Sequence, residues 1–166
     1  MTTATRFAST DNYAKGGVEI IGDEQPRRYL FSNMFEVADQ STVWERVVVA
    51  RNLEFTIECV RAEGESPWYV CDHDETALSM QGDIEVHFIK PADSTVLPTK
   101  DHPGPVKLTG EPTGQAMGWV KLGHGHMALL PRGAAYQFRA TNLGVLLLQS
   151  ILGDESIERW AGICQH

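Results

Sequence analysis

The sequence predicts an all-β domain, a sandwich or barrel built from many short strands. Three observations predict it. Short apolar segments recur along the chain, and Gly, Pro, Asn or Asp separates most of them, the pattern of a sandwich or barrel. Leu53, Phe55, Ile57 and Cys59 alternate with Glu54, Thr56 and Glu58, the period of two of a strand with one wet face. Helix signals are nearly absent: only 154–161 reads as a short helix, with Asp154 as N-cap and acidic residues in its first turn.

The elements follow in order. Residues 1–17 are polar, carry Gly16-Gly17, and read as an N-terminal arm. Strand-like segments then fall at 18–21, at 27–31 after Pro26, and at 43–50, 53–59, 67–71, 76–80 and 84–89. Further segments fall at 116–120, 126–130, 135–139 and 144–151. Residues 91–115 break the rhythm, holding five of the eight prolines, yet Val96, Leu97, Val106 and Leu108 are too apolar for a plain linker. A long ordered excursion, packed on a partner or over a cavity, is expected there. The expected organisation is an arm at 1–17, a barrel at 18–153 and a tail at 154–166.

Composition narrows the function classes. A chain of 166 residues, 42% hydrophobic and 22% charged, suits one globular domain and excludes disorder, collagen and coiled coil as whole-chain descriptions. The formal charge of −8 repels phosphate, so neither nucleic acid nor an anionic membrane is an expected partner. The longest apolar run, 145–148, is too short to span a bilayer, and Met1–Phe7 offers no signal-peptide core, so a cytoplasmic location is expected. Cys59, Cys71 and Cys164 are widely spaced and form no CxxC pair, which argues for reduced, buried thiols rather than a thiolate zinc site.

Familiar catalytic patterns are missing. Ser66, Ser79 and Ser150 lie in no GxSxG context, and no phosphate-cradling glycine loop is present. No neighbouring base is placed by sequence to make Cys71 a nucleophile. Trp68 and Tyr69 follow Pro67 and are candidates for an aromatic wall beside a ring-shaped substrate, or for core packing. Trp119 and Trp160 carry the same ambiguity, with Trp160 the better interface anchor.

Two fragments carry a family resemblance. Glu75 to Gly82 has the form E-x6-G, and Gly125 to Gly133 has the form G-x5-P-x-G. In this order they resemble the second half of motif one and the first half of motif two of the cupin family. The resemblance implies a single jelly-roll barrel. Such cupins hold a metal with an HxH pair, the Glu and a later His. Here the corresponding positions are Tyr69, Cys71, Glu75 and Tyr136, or Trp68 and Val70 for the pair with one residue of longer spacing. One carboxylate survives, and the donor count fails for iron or zinc, so no metal is expected in this chain. Alternatives remain: a displaced site of His73, His87 and Glu75, or the HxH pair His124 and His126, whose side chains share a strand face. Without a metal, Glu75 needs donors such as Tyr136 or a histidine.

The whole chain, including 71–88 and 125–139, resembles the small subunits of two-component hydroquinone 1,2-dioxygenases. That resemblance implies a heterotetramer, two small plus two large cupin subunits. It implies that the large subunit holds non-haem Fe(II) and cleaves hydroquinone with O2 to 4-hydroxymuconic semialdehyde, in breakdown of 4-nitrophenol or 4-hydroxyacetophenone. The small subunit then binds no cofactor, contributes no catalytic residue, and shapes and stabilises its partner. Two other classes stand beside it: a metal-independent isomerase or epimerase with His73 or His126 as base and Tyr136 as acid, and a homodimeric barrel that binds an aromatic small molecule.

Overall fold

A computed structural model of the chain describes residues 8–14 and 33–159. The segments expected at 18–21 and 27–31, together with Trp160 and Cys164, lie outside the described residues. The elements run α1 (Met34–Asp39), β1 (Arg46–Asn52), β2 (Phe55–Glu65), β3 (Tyr69–Val70), β4 (Glu75–Gln81) and β5 (Ile84–Pro91). They continue through β6 (Val106–Lys107), β7 (Gly114–Leu122), β8 (Met127–Leu130), β9 (Ala135–Ile151) and β10 (Ser156–Ile157).

The architecture is a curled sheet forming a cupin barrel, and β9 organises it. Its 17 residues are long enough to serve two layers. The C-terminal half lies between β2 and β4, which continue to β1–β10 on one side and β8 on the other. The N-terminal half lies between β5 and β3, which continue to β7 and β6. Every pairing is antiparallel except that of β1 with β10. Between the layers pack Val60, Ala62, Ile84, Val86, Leu122, Leu130, Phe138, Leu146 and Leu148.

The motif glycines do what their backbone requires. Gly82, Gly125 and Gly133 all have positive φ, at 77°, 81° and 72°. At Gly82 a Cβ would also meet Leu143 O and Gly144 Cα at 3.0 Å, so the β4–β5 turn needs a residue without one.

Three expectations change. The alternation over 53–59 is real, but its faces are reversed. Thr56 and Glu58 point into the barrel and are buried, while Phe55 and Ile57 stand outside, half exposed. The reason is that a cation waits inside for Glu58, as described below. Cys59, on the outer face, is buried only because α1 covers it with Phe35, Val37 and Ala38. Secondly, the helix expected from 154 is not formed. Residues 154–155 make a turn, and β10 pairs in parallel with β1, Arg46 opposite Ser156. An eight-residue helix is marginal alone, and an open sheet edge outcompetes it. Thirdly, the one α-helix among the described residues is α1, which begins where Asn33 Oδ1 accepts a bond from Phe35 N at 2.9 Å. Asn33 followed three residues later by Glu36 was its local signal.

The excursion at 91–115 packs on the chain itself. It contains a 3-10 turn at Ser94–Val96, adds β6 to the edge of β3, and lays Leu108 on Trp68. In the arm, Thr10 bonds the Gln81 side chain through both its backbone N–H and its hydroxyl, tying 8–14 to the end of β4.

Candidate functional site

The barrel interior holds a charged centre made by four strands. Arg46 projects inward from β1, Glu58 from β2, Glu75 from β4 and Tyr136 from β9. Arg46, Glu58 and Glu75 are at most 2% exposed. The guanidinium uses all three of its nitrogens. Nε donates to Glu58 Oε2 at 2.5 Å, Nη2 to Glu75 Oε1 at 2.6 Å, and Nη1 to the Tyr136 hydroxyl at 3.1 Å. The Tyr69 ring lies 5.8 Å from the guanidinium carbon, a cation–π distance, and 5.8 Å from the Tyr136 ring.

Both carboxylates are engaged through both oxygens. Glu75 Oε2 accepts from the Cys71 thiol at 2.8 Å and from the Tyr136 hydroxyl in a very short bond. Glu58 Oε1 accepts from Ser156 Oγ at 2.5 Å and Thr56 Oγ1 at 3.3 Å. A buried ion set persists only when its remaining lone pairs and protons are satisfied in this way.

Each group's acidity follows from the same contacts. Burial pushes the Glu75 carboxyl up, but Arg46 and the bonds from Cys71, Ser150 and Tyr136 outweigh it, holding the group below the usual range. Burial lowers the Arg46 pKa, but Glu75 and Glu58 outweigh it and raise it well above the ordinary value. Burial and then the Glu75 charge push the Cys71 thiol and the Tyr136 phenol far up, so both stay protonated. Tyr69 is raised to about 12, chiefly by burial.

The four positions that the cupin pattern assigns to metal ligands are therefore gathered in one place. Tyr69, Cys71, Glu75 and Tyr136 surround the Arg46 guanidinium, directly or through one hydrogen bond. Sequence reasoning missed Arg46. Its only local signal was a charge at the head of a β-branched run, Val47-Val48-Val49, the buried half of β1.

A divalent ion does not fit this arrangement. Cys71, His73 and Glu75 do bring a sulfur, a ring nitrogen and a carboxylate oxygen within 4.8 Å of one another. Yet both Glu75 oxygens are engaged by Arg46, Cys71 and Tyr136, and a fixed positive charge already occupies the centre.

The remaining candidates are scattered. His73 Nε2 lies 3.5 Å from Ser150 Oγ, beside the centre. His87 is on β5, bonded to Glu85 at 2.8 Å and stacked on Trp119. His124 and His126 occupy the β7–β8 turn, where His126 Nδ1 accepts from Gly123 N at 3.3 Å. His87, His124 and His126 join no ligand cluster among the described residues. Trp68 is buried against Ile89 and Ala135, apart from the charged centre. Tyr136, with its hydroxyl engaged by Glu75 and Arg46, is no free general acid.

A second feature lies outside. On the outer face of the layer β8–β4–β9–β2, register places Met127 beside Leu78 and Leu78 beside Leu147, with Ile57 opposite Gln149 and Phe55 opposite Ile151. Met127, Leu129, Phe55 and Ile57 are between 42% and 64% exposed. On the outer face of the other layer, Glu85 and His87 stand in register with Arg139 and Gln137 across β5 and β9, while the edge strand β7 exposes Met117 and Trp119. Around the β7–β8 opening, Phe88, Val120, Leu122, Met127 and Ala128 line a cleft of about 460 Å³.

No protein-family model matches the sequence, and no curated protein matches it. Solved structures do. A chain of hydroquinone 1,2-dioxygenase PnpCD, in complex with Cd2+ and 4-hydroxybenzonitrile, is 47% identical, with TM-score 0.86 over 98% of this chain and 97% of that one. A chain of hydroquinone 1,2-dioxygenase from Sphingomonas sp. TTNP3, with 4-hydroxybenzoate bound, is also 47% identical, with TM-score 0.89 over 99% and 98%. A longer chain of PnpCD in complex with Fe3+ shares the fold alone: 12% identity, TM-score 0.59, covering 86% of this chain but 39% of that one.

Proposed function

We propose a function from one premise: the chain belongs to the family of hydroquinone 1,2-dioxygenase subunits, being 47% identical to two of them along nearly its whole length. Within such a ring-cleaving enzyme it is the subunit that holds no catalytic metal. The observation that carries this reading is the Arg46 guanidinium at the centre of the barrel, ion-paired with the surviving ligand position Glu75.

A longer, same-fold subunit is the partner, in a two-plus-two assembly in the cytoplasm. Support comes from PnpCD itself, where one chain matches this one end to end and another is far longer. Fe(II) held by that longer subunit supplies the oxygen chemistry, and hydroquinone with O2 becomes 4-hydroxymuconic semialdehyde, both oxygen atoms being retained. The residues of this chain do other work. The charged centre fixes β1, β2, β4 and β9 against one another without a metal. The apolar outer face of Met127, Leu129, Ile57 and Phe55 then docks on the partner, as suits an obligate interface rich in apolar groups.

The test is reconstitution. The full chain, the longer subunit and the co-expressed pair are each assayed for hydroquinone consumption and metal content. Ring cleavage by the pair, with iron equal to the number of longer subunits, supports the reading. Cleavage by this chain alone, or one iron held per copy of it, overturns it.

A further inference from the structure

The placement of Arg46 has a consequence beyond the absence of a catalytic role. We infer that its guanidinium is a built-in cation in the place of a metal ion, and that it keeps the Cys71–His73–Glu75 cluster from binding a divalent transition metal. The inference deepens the reading of this chain as the subunit without catalytic metal and rests on it in that respect. Its test uses this chain's own metal affinity, not ring cleavage.

Geometry carries the argument. The guanidinium comes from β1, outside the segment that supplies the motif positions, and reaches the oxygen of Glu75 at 2.6 Å and the hydroxyl of Tyr136 at 3.1 Å. Glu58, from β2, meets it at 2.5 Å and supplies a second negative charge. Two buried carboxylates thus face one cation, a charge balance that also suits a divalent ion. The potential ligands are already assembled. Sulfur, imidazole and carboxylate atoms of Cys71, His73 and Glu75 lie within 4.8 Å of one another. A tetrahedral ion with bonds of about 2.0–2.3 Å needs its ligand atoms closer than that by a small inward adjustment. What opposes binding is the fixed positive charge and its hold on Glu75 Oε1. With Arg46 removed, Glu58 and Glu75 are left buried and unpaired, a state that strongly favours any cation able to enter. Binding then forms a metal–sulfur bond as the Cys71 thiol releases its proton to solvent.

The experiment uses the full chain and Co2+ as probe. Wild type, Arg46→Met, Arg46→Lys and Arg46→Met/Cys71→Ser are titrated, following the thiolate-to-cobalt absorption and the bound equivalents. Arg46→Met is expected to bind one equivalent at least about 100-fold more tightly than wild type, the ratio set by an unpaired buried charge. Arg46→Lys, which keeps the charge, stays without cobalt, and the added Cys71→Ser abolishes the absorption. Stoichiometric cobalt on wild type with that absorption overturns the inference, as does a folded Arg46→Met that takes none. If Arg46→Met folds only when Co2+ is added, the inference is supported. If it is unfolded in both conditions, Glu58→Gln/Arg46→Met, with one fewer unpaired charge, decides: cobalt-dependent folding or binding supports, and failure of both overturns. A variant that binds nothing leaves the proposed function standing; one iron per wild-type copy sinks that reading first.

Discussion

The barrel centre and the outer face of the layer β8–β4–β9–β2 invert the usual distribution of side chains in opposite directions. Inside, Arg46, Glu58 and Glu75 are buried where apolar groups are ordinary; outside, Met127, Leu129, Phe55 and Ile57 stand in the open. The comparison teaches that the first inversion is settled within the chain and the second is not. Every charge at the centre has a partner of the same molecule at hydrogen-bond distance. The outer apolar face has none among the described residues, and under the proposed function the longer subunit covers it. The other layer differs in kind: half-buried Glu85, His87 and Arg139 line β5 and β9, and its exposed apolar groups, Met117 and Trp119, are confined to the edge strand β7.

The most damaging way to break the contrast is Arg46→Met. It leaves two buried carboxylates without a counter-charge and is expected to cost about 3–5 kcal/mol in chemical denaturation of the metal-free chain. A loss under about 1 kcal/mol would mean that the centre is not held by the ion set. On the outer face the signature should be opposite. Met127→Asp and Ile57→Asp should each weaken capture of the longer subunit by about 2 kcal/mol, near 30-fold, measured by calorimetric titration. The stability of the isolated chain should change by no more than about 0.5 kcal/mol, as for surface substitutions generally. Binding unchanged by both variants would move the interface elsewhere.

Tyr136→Phe removes one hydroxyl shared by Glu75 and Arg46 and should cost about 1–3 kcal/mol while leaving partner binding intact. Titration of stability gives a gentler probe. Glu75 is depressed in the folded state, so its contribution is present above the ordinary carboxylate value of 4.5 and disappears as pH falls through its folded pKa. Cys71 and Tyr136 are raised, so their contribution is complete below the ordinary values of 9.0 and 10.0 and declines as pH climbs beyond them. Thermal melts should therefore plateau between roughly pH 5 and 9, the interval between those ordinary values. Cys71→Ser should flatten part of the alkaline fall, and an unchanged alkaline limb would remove the thiol from the account.

Much of the strand layout was legible because its causes are local. The segments 76–80, 84–89 and 126–130 coincide with β4, β5 and β8 to within two residues, since turn glycines and prolines punctuate them. Glu75 and Tyr136 were reachable by counting along the cupin motifs. Other features lacked a local signature. The tail helix expected from Asp154 became β10 because an edge of β1 was free to pair. Phe55 and Ile57 read as core because alternation reports that two faces differ, not which one is dry.

The sequence by itself determined that this is an all-β chain of the cupin type and where its tight turns fall. Those properties depend on residue identity and short spacing. Only the tertiary structure decided what stands at the barrel's centre. Arg46 meets Glu75 across 29 residues of chain and Tyr136 across 90, so no window of sequence contains the contact. Long-range strand pairing sets it, because β1, β2, β9 and β4 must lie side by side before one guanidinium can reach all their inward-facing polar groups.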